Sequence, residues 1–422
     1  IILTEIKDIL ILTQQLHVPE CLDGFERPLT QGDFTSYKQT CEDTLITILH
    51  SLKEKVMRKS RNDIIITSIG EDNKMSIVNL LILCGEHSAL DYWSSNTTVE
   101  ITTQIIEHVV YLFHKNSVEE LILDDNYFFF KKALFILRPK LLATSWKCNP
   151  AAILCYNWLL MKVKAPFLSD HLSDILPTAL IITDDFEVSN RIIGLRCINH
   201  IVNNVTKADL ELYGQNDVIL EALRPIFYHH EIDILEPLLI CIVSLMRKMN
   251  QPLNCNDLKR NKFDEVVGII LNNLDLEEKN KVKVIYLSYL PDVISVLHMR
   301  SLRHSRRLLD MLARELNIET DDNINVLLLQ VLDTTVKFCW PRIDLEKQFR
   351  PVILSLLKLL HDWSSPKVVK KSLSTNLEVH VRSTFQLLKN LCHEQLELIG
   401  REIRQSEQFS ENFKMLINSV LF

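Results

Sequence analysis

Glycine is the residue this chain almost does without: there are eight in 422 positions, where about 7% is usual. Gly24, Gly32, Gly70, Gly85, Gly194, Gly214, Gly268 and Gly400 are nowhere closer together than the eight positions between the first two. A G-x-G-x-x-G turn, a Walker-type phosphate loop and a G-x-S-x-G nucleophile elbow are therefore impossible here, which removes most nucleotide-using and hydrolase chemistries. All-β folds are also disfavoured, because their tight turns need glycine at positive φ. A chain this poor in Gly, with only 13 Pro, reads as mostly helix.

Hydrophobic residues make up 47% and charged ones 24%, enough apolar material for a packed core. The length would fill two or three ordinary domains or one long repeat array. With a net charge of −7 and no face rich in Lys and Arg, nucleic acid is not an expected ligand. No run approaches the ~18 uninterrupted apolar residues of a membrane span, so no membrane partner is expected. The chain begins at Ile1 rather than Met, as a fragment would. Ten Cys are scattered singly in apolar runs, Cys155, Cys197 and Cys241 among them. That is the pattern of reduced, buried thiols in the cytoplasm or nucleus, and the glycosylation triplets at Asn96 and Asn204 are then accidental.

From about residue 96 an apolar stripe at helical spacing, a short polar break and another stripe recur. Ile101, Ile105, Val109 and Leu112 form one stripe. Val282, Ile285, Tyr289, Val293 and Val296 form a second, and Ile324, Leu328, Val331, Thr335 and Phe338 a third. Asp124-Asp125, Asp184-Asp185 and Asp321-Asp322 precede stripes, where a carboxylate can cap free N–H groups. Pro150 and Pro166 stand where a first helical residue would be. One helix is predicted over 166–182 and another over 188–203. The second carries two adjoining apolar rows, Val188-Ile192-Leu195-Ile198-Val202 and Ile193-Cys197-Ile201, and must be covered on more than one side. Residues 1–95 are less regular: Asp23-Gly24 and 60–70 read as loops, and Ile64-Ile65-Ile66 is the only run that could be a strand.

Reactive constellations are sparse. His393-Glu394 has Glu397 where a zinc-binding H-E-x-x-H needs its second His, and adjacent His229 and His230 point about 100° apart on a helix. Cys148 and Cys155 read as packed thiols rather than ligands. No catalytic, cofactor-binding or metal-binding residue is expected, and no cofactor. Two features could contact a partner. Arg300, Arg303 and Arg307, at i, i+3 and i+7, would put three guanidinium groups on one helix face, or simply make that face solvated and basic. Cys339-Trp340-Pro341-Arg342 sits at a helix end, where Trp340 is either a plug between repeats or, with Arg342, an interface anchor.

The 175–195 region, with Pro177 in a first helix, Asp184 in the turn and Val188 and Arg191 in a second, resembles a HEAT repeat, in which such an Arg usually braces its own unit. Leu290-Pro291-Asp292 and Arg350-Pro351-Val352 are weaker echoes. At ~40–47 residues per repeat the chain would hold about nine to eleven. The block Thr183–Val205, with Pro150-Ala151, Trp158-Leu159, Leu290-Pro291-Asp292-Val293 and Cys339-Trp340-Pro341-Arg342, is similar to the Tel-two-interacting protein two family, most clearly over 146–345. The resemblance implies an all-α, HEAT-like helical-repeat solenoid of antiparallel helix pairs over 96–422, after an irregular helical region over 1–95. It implies a non-catalytic scaffold subunit of the Triple-T cochaperone, bound to Tti-one-like and Tel-two-like proteins. With the Hsp-ninety system that complex matures the phosphatidylinositol-3-kinase-related kinases (the mTOR, ATM and ATR class). Another HEAT-type adaptor, for transport or as a phosphatase scaffold, is the alternative.

Overall fold

The computed structural model describes residues 13, 16–59, 71–229, 231–249, 262–364 and 375–421; the 60–70 loop, the Ile64–Ile66 run and His230 lie outside them. Helices dominate the described residues and none is in a strand. The chain divides into two compact units, Ile1–Gln215 and Asn216–Phe422.

In the first unit the α-helices are α1 (Thr35–Lys59), α2 (Glu71–Glu86), α3 (Asn96–Leu112), α4 (Val118–Ile122), α5 (Asp124–Leu137), α6 (Pro150–Lys162), α7 (Leu172–Thr183), α8 (Val188–Asn204) and α9 (Lys207–Leu212). α1 packs on α3, α2 on α6 and α6 on α8, while α7 and α8 form the tightest pair. Across residue 95, then, the N-terminal helices belong to the same packed body as those that follow.

The α7–α8 hairpin shows how local sequence becomes packing. Leu195, Ile198, Val202, Cys197 and Ile201 on α8 are buried, and Ile175, Leu176, Ala179 and Ile182 answer them from α7. The helices approach so closely at Gly194 that a Cβ there would lie 2.3 Å from Thr183 Oγ1 and 2.5 Å from its backbone nitrogen. Gly194→Ala should therefore lower the melting temperature. The ~1 kcal/mol helix-propensity gain of Ala is outweighed by the ~1–3 kcal/mol typical of overpacking a filled interface. A melt at or above wild type would contradict that close approach.

Helix starts follow the sequence only in part. Pro150 opens α6, and the Asp321 carboxylate accepts the Asn323 N–H at the head of the next stripe. Pro166 opens no helix. It lies in a turn whose Leu168 is buried, and α7 begins six residues later. Asp124 and Asp125 fall inside the first turn of α5 and pair with Lys115 and Lys74 instead of capping. Asp184 ends α7, its own N–H donating to Leu180 O, and it is Asp185 whose side chain works.

The second unit holds α10 (Gln215–Leu223), which starts at the boundary residue, and α11 (Ile232–Met249), α12 (Lys262–Leu276), α13 (Asn280–Leu297), α14 (Ser305–Ile318), α15 (Asp322–Cys339), α16 (Arg350–Ser364), α17 (Thr375–Gln405) and α18 (Glu411–Leu421). α11, α13, α15 and α17 pack successively in one row, and α14, α16 and α18 in a second. This two-row stacking is how helix pairs that cannot bury both faces alone make a continuous core. Of the stripe at 324–338, Ile324, Leu328, Val331 and Thr335 are buried as expected, and Phe338 is half-buried. On α13 the buried face is Val282-Tyr286-Leu290-Val293-Leu297, rotated from the expected stripe because neighbours on both sides, α11 and α15, claim adjoining faces. With its following turn, 280–303, α13 is long and apolar enough to cross a bilayer; here its apolar face is core.

A candidate docking groove in the first unit

The N-terminal segment is held onto α2 by buried polar groups. Glu86, 1% exposed, accepts the Val18 N–H at 3.3 Å, and its carboxylate lies 3.0 Å from His17 Nδ1 and 3.8 Å from Lys140 Nζ. The Tyr37 hydroxyl donates to Leu16 O at 2.6 Å and sits 2.9 Å from His87 Nε2, while Ser94 Oγ meets the other ring nitrogen at 2.8 Å. Cys41 Sγ is 3.5 Å from the same imidazole, which invites a nucleophile reading. Burial argues otherwise: it pushes the thiol up to about 11 and the His87 imidazole down to about 4. At neutral pH both are uncharged, so the pair is cohesive and unreactive.

Further along, Cys21 N–H donates to Cys148 O at 2.9 Å. Gly24 lies so close to the Lys147 carbonyl that a Cβ would be 2.2 Å from its oxygen. The loop is thus pressed onto the 3₁₀ turn Trp146–Cys148 that precedes α6. From there Lys147 reaches the α7–α8 turn, its Nζ 2.6 Å from Asp185 Oδ1 and 3.8 Å from the centre of the Phe186 ring. The buried Asp185 carboxylate also accepts from the Phe186 N–H and Asn190 Nδ2, and Arg191 Nε donates to the Asp185 carbonyl at 2.9 Å. Arg191 braces its own helix pair, as expected.

Four segments distant in sequence thereby enclose a groove of about 460 Å³: the loop around Phe25, the Leu90–Trp93 turn, the Trp146–Lys147 turn, and the start of α8 with Ile193. Trp93 and Phe34, packed edge to face at 5.6 Å, support its floor. Phe25, Leu90, Tyr92 and Phe186 stand exposed around its mouth, Phe186 at 79%. Of the row Ile193-Cys197-Ile201, the last two are buried and Ile193 only half so, because it faces this space. Its cations are already matched: Lys147 by Asp185, and Arg27 by Asp33 through two bonds of 2.8 and 2.9 Å. Three carboxylates at the rim, Glu26, Asp91 and Glu187, have no ion-pair partner among the described residues. Sequence reasoning missed the groove; Gly24, one glycine among eight, was the available signal.

The residues expected to contact a partner fare differently. Arg300 and Arg303 lie in a 3₁₀ turn, His298–Arg303, and Arg307 in α14, so they do not share a helix face. Arg303 pairs at 3.1 Å with Asp264, which is 3% exposed, and His304 Nε2 meets the other oxygen at 3.1 Å. Arg307 pairs with Asp275 at 2.8 Å and bonds Asn272, while Arg300 Nε is buried. Trp340 is 59% exposed, so it plugs no core; Arg342 is exposed beside it in the turn after α15. Among the described residues no three His, Cys, Asp or Glu side chains converge as metal ligands would. The nine described cysteines are free, and seven are buried.

Paired helices packed in rows define a helical-repeat protein. Residues 135–317 match the family model of the Tti2 family. It is 29% identical to mouse TELO2-interacting protein 2 over 288 residues, 66% of this chain and 56% of that protein. With the human protein of the same name it shares 28% over 302 residues, 68% and 59% respectively. The chain thus spans somewhat over half the length of these curated relatives. Yeast importin-beta superposes on 93% of this chain and 51% of its own, with 12% identity and a TM-score of 0.46.

Proposed function

We propose that this chain is a non-catalytic scaffold subunit of a Triple-T-type cochaperone complex, binding Tti-one-like and Tel-two-like helical-repeat proteins in the cytoplasm and nucleus. Through them it supports the maturation and stability of phosphatidylinositol-3-kinase-related kinases with the Hsp-ninety system. The observation that carries this reading is the family match over 135–317, which includes the α7–α8 hairpin and its Asp185–Arg191 brace. Trp340 and Arg342 are proposed as part of the partner contact, since both are exposed at the end of a core helix. Arg303 and Arg307 would enter it only through whatever their intramolecular pairs leave free, and Arg300 only through the part of its side chain beyond the buried Nε. The test is affinity purification of the tagged chain from its own cells followed by mass spectrometry. Recovery of Tti-one-like and Tel-two-like proteins in near-equal amounts is expected, with kinases of this class and Hsp-ninety substoichiometric. Absence of both repeat proteins would refute the assignment.

A further inference from the structure

We propose that the groove between Phe25, Leu90, Lys147 and Phe186 seats an extended segment of a partner chain, carrying one aliphatic or aromatic anchor with a Lys or Arg close on either side. The segment is taken to belong to a subunit of the proposed complex, and to that extent the inference rests on the scaffold reading.

Shape and polarity call for the anchor. The space of about 460 Å³ falls within the ~300–1,000 Å³ of ligand-holding clefts. Its interior offers Trp93, Ile153 and Ile193, while Leu90 and Phe186 are left largely in water at the mouth. Large apolar side chains converging on one concavity behave as an anchor site, unlike single exposed ones scattered over a surface.

Charge selects what flanks the anchor. Both cations at the groove are consumed internally, Lys147 by the buried Asp185 and Arg27 by Asp33, so an anionic guest would find no free partner. Glu26, Asp91 and Glu187 remain, and Asp91 is the most telling: burial pushes its carboxyl above the ordinary value, an effect only partly offset by the Tyr92 N–H and the field of Lys38. A guest ammonium or guanidinium at that rim would relieve this cost and fix the register of the segment. The Lys147–Phe186 stack and the Gly24–Lys147 contact hold the walls in place before binding, which lowers the ordering cost of association.

The probes are two fluorescein-labelled hexapeptide pools. One has Leu, Phe or Trp flanked by Lys and Arg, the other the same anchors flanked by Asp and Glu. Both are titrated by anisotropy against the full chain at physiological salt. The basic pool should bind at least about tenfold more tightly, and the preference should shrink as salt rises. Glu26→Lys/Glu187→Lys and, separately, Leu90→Asp should each weaken it about tenfold with unchanged melting temperature, because all three side chains are exposed. Equal binding of the two pools, undiminished binding by both variants, or a concentration-dependent dimer that the variants abolish would overturn the proposal. Affinity purification with the same variants separates the two claims. If the variants recover the repeat-protein partners as fully as wild type, the groove is not their seat, although the scaffold reading stands. If wild type recovers none while the basic pool still binds selectively, the scaffold reading fails and the groove keeps its ligand class.

Discussion

Leu195→Asp should cost on the order of 4 kcal/mol or more and unfold the first unit at temperatures the wild-type chain tolerates. Leu195 is fully buried on α8, between Gly194 at the α7 contact and the Cys197–Ile198 core pair. A carboxylate there would have to enter protonated or expel its helix, since Leu195 is fully buried and the α7 residues packed on this helix, Ile175, Ala179 and Ile182 among them, are buried and apolar. Asp184→Ala, eleven residues earlier, is the control. Read from sequence it should lose a cap worth about 1 kcal/mol. Because Asp184 is exposed and Asp185 makes the side-chain bonds of the turn, the change should stay within about 0.5 kcal/mol. Chemical denaturation followed by far-ultraviolet circular dichroism measures both. Equal effects would mean that α8 is not packed as described.

Reversing Arg300, Arg303 and Arg307 to Glu should also destabilise the chain, against the expectation from their spacing, which is that exposed charges on one face leave the melting temperature alone. Arg303 faces a carboxylate, Asp264, that is 3% exposed and shared with His304. Breaking a fully buried pair costs about 3–5 kcal/mol; with Arg303 30% exposed and His304 still on the carboxylate, the loss here should fall below that range. Arg303→Glu adds repulsion to that, and Arg307→Glu places a second carboxylate beside Asp275, leaving Arg314 as its remaining cation. The melting temperature of the triple variant should fall by several degrees, and Arg303→Glu alone should account for most of it. A triple variant that melts with wild type would return these arginines to the surface. A variant that loses its partner without such a melt could not otherwise be separated from one that has merely unfolded.

The two substitutions mark where sequence information stops. That the chain is helical, that α8 runs from Val188 to about residue 203, that Pro150 begins a helix and that Arg191 braces its own hairpin were all legible. Each depends on residues within one or two helical turns of each other. The scarcity of glycine was decisive for the same reason: it limits backbone conformations position by position. The Thr183–Val205 block also pointed to the family that residues 135–317 match.

Other matters were decided by contacts that local periodicity does not encode. Asp185 rather than Asp184 carries the turn because Lys147, thirty-eight positions earlier, comes within 2.6 Å of it. Arg303 is a brace rather than a docking charge because Asp264, thirty-nine positions back, is buried beside it. Trp340 stays exposed because its helix ends before another surface covers it. The groove needs Phe25, Leu90, Lys147 and Phe186 at once, from four segments that only packing brings together. A stripe of side chains says that a face must be covered. Which charge is neutralised, and which apolar patch is left open, depends on the neighbour that covers it, and that neighbour is fixed only when the chain has folded.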